Sequence, residues 1–431
     1  MNAVNESWIS AIDTGVLRLI TAGSVDDGKS TLIGRLLYDS KGVFADQLAA
    51  ITRSKYKRVA ATDIDLSLLT DGLEAEREQG ITIDVAYRYF ATPARKFIVA
   101  DAPGHEQYTR NMVTGASTAD VAIILIDATR VHDGKLLAQT RRHSALAHLL
   151  GLQHIVVAVN KMDLVDWDET VFERIRSAYT ALAEHLGMAK FHIVPMSALK
   201  GDNVVESSAN TPWYDGPPLL SLLEGLPVAA AVADSGSRFF VQWVIRHGGH
   251  GTNDFRGYAG QLAGATLNVG DEISVQPSGQ VAKVSRLLRF EMDVDSAVAG
   301  DTVVVVLDRD IDVSRGDLLV QSDQPVRVTK EFDAELCWLD QQSLSPQRLY
   351  WLKQGTKLTQ ARVKTVHSRR DIYELQHAQA SGVLEMNDIG HVTLVARDLL
   401  AVDPYADHPV TGSFILIDAA THQTAAAGMM R

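Results

Sequence analysis

The sequence predicts an α/β phosphate-loop domain, a mostly parallel sheet with helices on both faces, followed by two antiparallel β-barrel domains. Two observations carry this. From residue 17 to about 226, near-continuous apolar runs (96–100, 121–126, 155–159 and 191–195) alternate with helix-length segments, the pattern of strands buried on both faces and joined by crossover helices. Beyond Arg238 short strand-like runs (238–246, 257–262, 272–276, 280–290, 302–307) are separated by turns such as Gly270-Asp271 and Ala299-Gly300-Asp301, and helical periodicity is lost. The expected divisions are a nucleotide-binding domain over 1–226, a linker over 227–237, one barrel over 238–325 and a second over 326–431.

The first domain is organised around Gly23-Ser24-Val25-Asp26-Asp27-Gly28-Lys29-Ser30-Thr31, which follows the apolar run 16–20 and precedes Leu32-Ile33-Gly34-Arg35-Leu36-Leu37. It fits the pattern G-x-x-x-x-G-K-[ST] in its strand, loop, helix context. Gly23 and Gly28 let the backbone turn its N–H groups towards phosphate oxygens, Lys29 reaches the β- and γ-phosphates, and the Ser30 hydroxyl can ligate Mg²⁺.

Ligands of open α/β sheets sit at the carboxyl ends of the strands, so the remaining candidates are sought there. Residues 40–82 form a long excursion that contains the basic run 53–58 and the acidic run 74–78, most simply a solvated helical face, with a partner contact the alternative that its place beside the phosphate loop suggests. It ends near Thr82, whose hydroxyl can close on Mg²⁺ and the γ-phosphate and let go after hydrolysis. The strand 96–100 runs into Asp101-Ala102-Pro103-Gly104-His105. Asp101 can hold Mg²⁺ through water, the Gly104 N–H can bind the γ-phosphate and sense its loss, and His105 can position the attacking water. After the strand 155–159 comes Asn160-Lys161-Met162-Asp163. The Asp163 carboxylate can accept from guanine N1–H and the exocyclic amine, a pairing adenine does not offer; the Lys161 stem can lie on the base, and Asn160 can reach N7 or the loop. Ser197-Ala198 follows the strand 191–195, with the Ala198 N–H expected to meet guanine O6. These elements in this order predict a GTPase that binds GTP, GDP and Mg²⁺, with Lys29, Thr82 and His105 as its catalytic residues.

The rest of the chain narrows the alternatives. Lys and Arg number 41 against 53 Asp and Glu, a formal charge of -12 that argues against a broad nucleic-acid footprint. A single cysteine, Cys337, sits among apolar neighbours and fits a buried thiol in the reducing cytosol. No apolar run is long enough to span a membrane and the amino terminus lacks signal-peptide character, so a soluble, cytoplasmic protein is expected. His247-Gly248-Gly249-His250 matches an H-x-G-H signature of adenylyltransferases, but with no helical pattern after it the stretch to Thr252 reads as an inter-strand loop.

The order of these motifs, followed by two barrels, resembles the translation-factor class of GTPases typified by elongation factor Tu, which usually has His in place of Asp27. The stretches 23–31, 71–90, 104–112 and 254–260 are more specifically similar to the family of GTPase subunits of bacterial sulfate adenylyltransferase (ATP sulfurylase), nearly over the whole chain. This resemblance implies a heterodimer-type partnership with a smaller catalytic subunit. The complex would handle ATP and sulfate, forming adenosine 5′-phosphosulfate and pyrophosphate, with GTP hydrolysis helping to drive the uphill reaction. It implies neither a nucleic-acid nor a membrane partner, and no adenosine-phosphosulfate kinase activity in this chain. The competing expectation is a translation elongation factor that binds tRNA and the ribosome; a self-sufficient adenylyltransferase using His247 and His250 is a third.

Overall fold

The computed structural model describes residues 15–40, 64–70, 82, 84–105, 109–188, 190–227, 236–247, 255–370, 377–379 and 382–431. The charge runs at 53–58 and 74–78, most of the expected linker and the loop 248–254 lie outside the described residues. Two compact units are present, the first holding a six-stranded sheet and the second holding both barrels.

The first sheet comprises β1 (Val16–Ala22), β2 (Ala86–Ala91), β3 (Lys96–Asp101), β4 (Val121–Asp127), β5 (His154–Asn160) and β6 (His192–Pro195), ordered β2-β3-β1-β4-β5-β6. All neighbours are parallel except β2, which runs antiparallel to β3 along one edge. The apolar-run argument does not find β2, because its side chains alternate and only Phe90 is buried while Tyr87 and Tyr89 are exposed. The helices are α1 (Lys29–Asp39), α2 (Thr109–Ala116), α3 (Ala138–Leu149), α4 (Glu169–Leu186) and α5 (Leu219–Gly225). β4 is buried at every position, as a strand covered on both sides requires. On one face Leu19, Ile123 and Leu125 pack with Leu32 and Leu36 of α1 and Leu219 and Leu223 of α5. On the other, Gly115 of α2 lies so close to Ile20 that a Cβ there would fall 2.9 Å from its Cδ1.

The second unit continues with β7 (Arg238–Phe240), β8 (Trp243–His247), β9 (Phe255–Ala263), β10 (Leu267–Asn268), β11 (Glu272–Gln276), β12 (Gln280–Arg289), β13 (Met292–Val294), β14 (Ser296–Ala297), β15 (Thr302–Leu307) and β16 (Leu318–Gln321). Six of these close a barrel in the order β11-β16-β7-β9-β15-β12, with β12 pairing back onto β11. The single run expected over 238–246 is broken, because the Val241 N–H turns to Asp317 O and the Gln242 N–H to Ala259 O. The run expected to end at Phe290 ends at Arg289, since Phe290 and Glu291 reverse the chain with φ of 49° and 68°.

The second barrel is formed from β17 (Arg327–Trp338), β18 (Tyr350–Gln354), β19 (Lys357–Arg370), β20 (His377–Gln379), β21 (Ile389–Val402), β22 (Ser413–Asp418) and β23 (Thr424–Met430), closed in the order β18-β22-β23-β17-β21-β19 by the β18–β19 pairing. Trp338 and Tyr350 meet edge to face in its core at 5.7 Å, and Cys337 is buried.

The two barrels share a small apolar contact of Phe240, Leu318 and Val320 with Val326 and Ala401. Beside it lies a buried bidentate ion pair: Arg238 donates from Nε to Asp403 Oδ2 at 2.9 Å and from Nη2 to Oδ1 at 3.1 Å, and the Thr411 hydroxyl adds a third bond at 2.5 Å. Burial pushes the Asp403 carboxyl up, but the Arg238 and Thr411 hydrogen bonds outweigh it and hold the group below the usual carboxylate range. Removing one partner strands the other charge without solvent. Asp403→Ala is expected to destabilise this unit by about 3–5 kcal/mol in urea unfolding. A loss as small as that of an exposed surface pair, under about 1 kcal/mol, would contradict a structural role.

Candidate functional site

The loop that leaves β1 and enters α1 needs glycine at both ends for identifiable reasons. Gly28 caps α1 with φ of 93°, and a Cβ there would lie 2.3 Å from Asn160 Nδ2. Gly23 has φ of 148°, and its Cβ would lie 2.8 Å from the carbonyl oxygen of Leu125 on β4. Between them the Ser24 N–H donates to Asp27 Oδ2 at 2.5 Å, and Lys29 Nζ donates to the carbonyls of Ser24 at 2.7 Å and Gly23 at 3.4 Å. Val25, Asp26, Gly28, Lys29, Ser30 and Thr31 line a cleft of about 420 Å³, which Thr82, Gly104, His105, Asn160, Lys161, Asp163 and Ser197 also line. A nucleotide-sized volume rimmed by a helix amino terminus and a buried lysine is a built anion site.

Three hydroxyl and carboxylate oxygens converge where the sequence places a metal. Ser30 Oγ lies 3.5 Å from Thr82 Oγ1 and 3.4 Å from Asp101 Oδ2, and Thr21 Oγ1 braces the other Asp101 oxygen at 3.4 Å. The donor set is all oxygen, and the spacings approach the ~3 Å edge of an octahedron with ~2.1 Å metal–oxygen bonds. These residues therefore fit Mg²⁺. They do so because parallel pairing sets Thr21 abreast of Asp101, and Ser30 lies in the first turn of the helix just beyond.

At the other end of the cleft, Asn160 is a strut. Its Nδ2 donates to the Asp27 carbonyl at 2.8 Å and its Oδ1 accepts the Ala198 N–H at 2.9 Å. Asn160 thus reaches the loop, one of the two roles expected of it. The Ala198 N–H, expected to face a base oxygen, is engaged within the protein. Lys161 sits in the left-handed region with φ of 63°, its Nζ held by Asp127 Oδ2 at 2.7 Å, so its stem is stretched along the cleft wall. Asp163 lies on the short helical turn Met162–Val165 at the cleft's edge.

Gly104 packs directly on the phosphate loop: an added Cβ would lie 2.5 Å from Lys29 Nζ and 2.9 Å from Val25 N. His105 follows it, exposed at the cleft. Burial pushes the Lys29 ammonium below its ordinary value, opposed by the Asp27 and Asp101 carboxylates.

Several residues of this site escape motif reading. His143 of α3 is fully buried and accepts the Gly23 N–H on Nδ1 at 3.0 Å; burial, with Lys29 and Arg142 nearby, pushes it down to about 3, so it stays neutral. Gln139, one turn earlier, donates to the Gly104 carbonyl at 3.1 Å. Arg130 donates to the Val25 carbonyl at 2.7 Å and lies 3.6 Å from Asp27 Oδ1. Asp127 orients Lys161, and buried Asp65, bonded to Ser67, lines the cleft. The one sequence cue was positional: Asp127 ends a strand, where ligands gather.

Residues 14–235 match the family described as elongation factor Tu GTP binding domain, and 331–431 match the GTP-eEF1A C-terminal domain-like family. The chain is 50% identical over 434 residues to sulfate adenylyltransferase subunit 1 of Aeromonas hydrophila, spanning 99% of this chain and 90% of that one. It is 49% identical to the protein of the same name in Cronobacter sakazakii, over 96% and 86%. It is also 50% identical to the bifunctional enzyme NodQ of Rhizobium sp., covering 96% of this chain but 63% of that protein. Among solved structures, the Ski7 GTPase-like domain of S. cerevisiae, bound to GDP and inorganic phosphate, aligns over 96% of this chain and 97% of its own with a TM-score of 0.51 at 15% identity, a likeness of fold. No described helix is long and apolar enough to cross a membrane.

Asp27 gives the site a pH signature. Burial raises its carboxyl to about 6, against lowering by Lys29, the Ser24 N–H and Arg130. Because its folded value lies above the unfolded one, its contribution to stability is fully present below about pH 4 and is lost as pH rises through about 6. His143 has the opposite sign: lowered in the fold, it favours folding above its unfolded value and loses that support as pH falls. In Asp27→Asn the His143 effect is unopposed, so stability in thermal melts is expected to fall more steeply from pH 6 to 4 than in the wild type, by about 2 kcal/mol. Parallel wild-type and variant curves would contradict this.

Proposed function

The chain belongs to the elongation factor Tu-type GTP-binding family and, within it, to the family of sulfate adenylyltransferase subunit 1; from that premise we propose that it is the GTP-hydrolysing subunit of a heteromeric sulfate adenylyltransferase. A smaller partner subunit would transfer adenylate from ATP to sulfate, releasing pyrophosphate, and GTP hydrolysis on this chain would help drive that reaction. We place this chemistry in the cytoplasm, with no nucleic acid or membrane among its partners. The observation that carries the reading is the convergence, in one cleft, of the phosphate loop, the Ser30, Thr82 and Asp101 oxygens, Gly104-His105 and Asp163.

Each residue then has a task. The loop N–H groups after Ser24, whose own N–H is taken by Asp27, and the Lys29 ammonium bind the β- and γ-phosphates, where positive charge placed in advance lowers the barrier to phosphoryl transfer. Ser30, Thr82 and Asp101 would hold Mg²⁺, which when bound would supply charge neutralisation to the phosphates. The Gly104 N–H binds the γ-phosphate, and the His105 imidazole at the cleft orients the attacking water. Asp163 accepts the two N–H donors of the guanine edge, Lys161 flanks the base, and Ser197 lines the cleft beside them, with Ala198 bonded to Asn160 behind it. Thr82 and Gly104 are the contacts that depend on the γ-phosphate, so they can differ between the GTP and GDP states. The partner can be driven only by as much as its affinity differs between those states.

The test is GTP hydrolysis by the purified chain, alone and with the smaller subunit, with and without ATP and sulfate. Stimulation that requires partner and both substrates is expected. A rate indifferent to them but raised by ribosomes would transfer the chain to translation. Within the complex, His105→Ala is expected to lower GTP turnover by about 10²–10⁴-fold while leaving GDP affinity near wild type; unchanged turnover would remove His105 from the mechanism. Asp163→Asn swaps an acceptor for an amide donor, so it should weaken GTP and admit xanthosine triphosphate, whose C2 oxygen is an acceptor. Retained preference for GTP in that variant would refute the base assignment.

A further inference from the structure

We propose that Gln139 is a positioning residue that tunes the cleft for a γ-phosphate, by clamping the Gly104-His105 peptide, while the diphosphate part of the site is held separately by His143. The proposal rests on the GTPase reading above and concerns its selectivity between nucleotide states.

Gln139 and His143 are four residues apart on α3, hence on one face of that helix, yet they serve different segments. His143 accepts the N–H of Gly23, at the start of the phosphate loop. Gln139 donates to the carbonyl of Gly104, the residue after Pro103 at the end of β3. The side-chain amide is fixed in orientation, because Arg142 Nη1, which can only donate, bonds to Gln139 Oε1 and leaves Nε2 for the carbonyl. Both Gln139 and Arg142 are buried, so neither bond competes with bulk water.

The carbonyl of Gly104 and the N–H of His105 belong to one peptide plane. Clamping that plane fixes ψ of Gly104 and the direction in which His105 departs. On its other side Gly104 is anchored by the Pro103 ring, whose φ is fixed, and by Asp101 in the sheet. Gly104 is therefore held at both ends, against Lys29 Nζ and Val25 N, with no room for a methyl group. A shift of a few tenths of an ångström there misaligns the N–H that meets a γ-phosphate and leaves the Gly23-to-Gly28 cradle in place. The helix acts as a spacer between the two segments.

The test compares equilibrium binding of GDP and a non-hydrolysable GTP analogue to the full chain with Mg²⁺, by calorimetry. Gln139→Glu keeps the shape and the acceptor for Arg142, but it removes the donor and sets a carboxylate oxygen against the Gly104 carbonyl. The expected result is a loss of about tenfold or more in affinity for the analogue, with GDP affinity within about twofold of wild type. Gln139→Met, which removes the donor without adding charge, is expected to show a smaller loss with the same selectivity. His143→Leu, which removes the acceptor for the Gly23 N–H, is expected to lower both affinities together. Equal losses for both nucleotides in the Gln139 variants would reduce Gln139 to a packing residue and overturn the proposal, as would no loss at all. A wild-type chain that binds neither nucleotide overturns the GTPase reading and this proposal with it. Wild-type binding of both without a selective loss in the variants overturns this proposal alone.

Discussion

A loop that is to offer its N–H groups to an anion cannot spend them on a sheet ladder or on a helix, so its shape must be imposed by other elements. Here each tether comes from a different place. The Gly23 N–H is taken by His143 of α3, the Ser24 N–H by Asp27, the Val25 carbonyl by Arg130, the Asp27 carbonyl by Asn160 of β5, and the Gly23 and Ser24 carbonyls by Lys29. Those supports are themselves fixed by strand register. Parallel pairing sets Thr21 beside Asp101 and Asp127 beside Asn160, so residues far apart in sequence arrive at one level along the sheet edge. The geometry of the cleft is thus a consequence of the sheet, and a slip in β1, β4 or β5 would dismantle it.

This dependence explains what could be read from the sequence. The phosphate loop, Asp101-Ala102-Pro103-Gly104-His105 and Asn160-Lys161-Met162-Asp163 are legible because each is a contiguous run at a strand end, where its spacing is fixed locally. Ser30, Thr82 and Asp101 come together as that logic requires. Gln139, His143 and Arg130 are not legible in this way. They are ordinary residue types on or near helices, and their roles exist only through contacts across more than thirty positions of chain. The fold shows the same division. Strands buried on both faces announce themselves by composition, whereas β2, an edge strand with exposed tyrosines, has only a weak alternating pattern. The strand ends at Arg289, one residue before the expected Phe290, because the reversal there imposes a positive φ that a bulky aromatic seldom adopts.

Asp27 poses a second constraint. A carboxylate inside an anion-binding loop opposes the ligand electrostatically, and burial makes its charged form costlier still. It is tolerated because it does a structural job no neutral acceptor does as strongly: it takes the Ser24 N–H at 2.5 Å and draws Arg130 over the loop. Arg130 and Lys29 bring two positive charges into the same volume and lower the Asp27 carboxyl against the raising effect of burial. The loop is in this sense an ion cluster completed by phosphate.

The numbers bound what such a site can transmit. On the proposed reading, the contacts that report the γ-phosphate in the protein are Thr82, through the metal it would help to hold, and the Gly104 N–H, each taken as no stronger than a charge-assisted hydrogen bond of about 1.5–3 kcal/mol. Together they can bias a two-state equilibrium by about 3–6 kcal/mol, enough to carry a population from mostly one state to mostly the other. In the second unit the barrels are joined by a buried bidentate pair and an apolar contact. Breaking that pair alone would consume a comparable energy. Within the second unit the two barrels are therefore held together as one block.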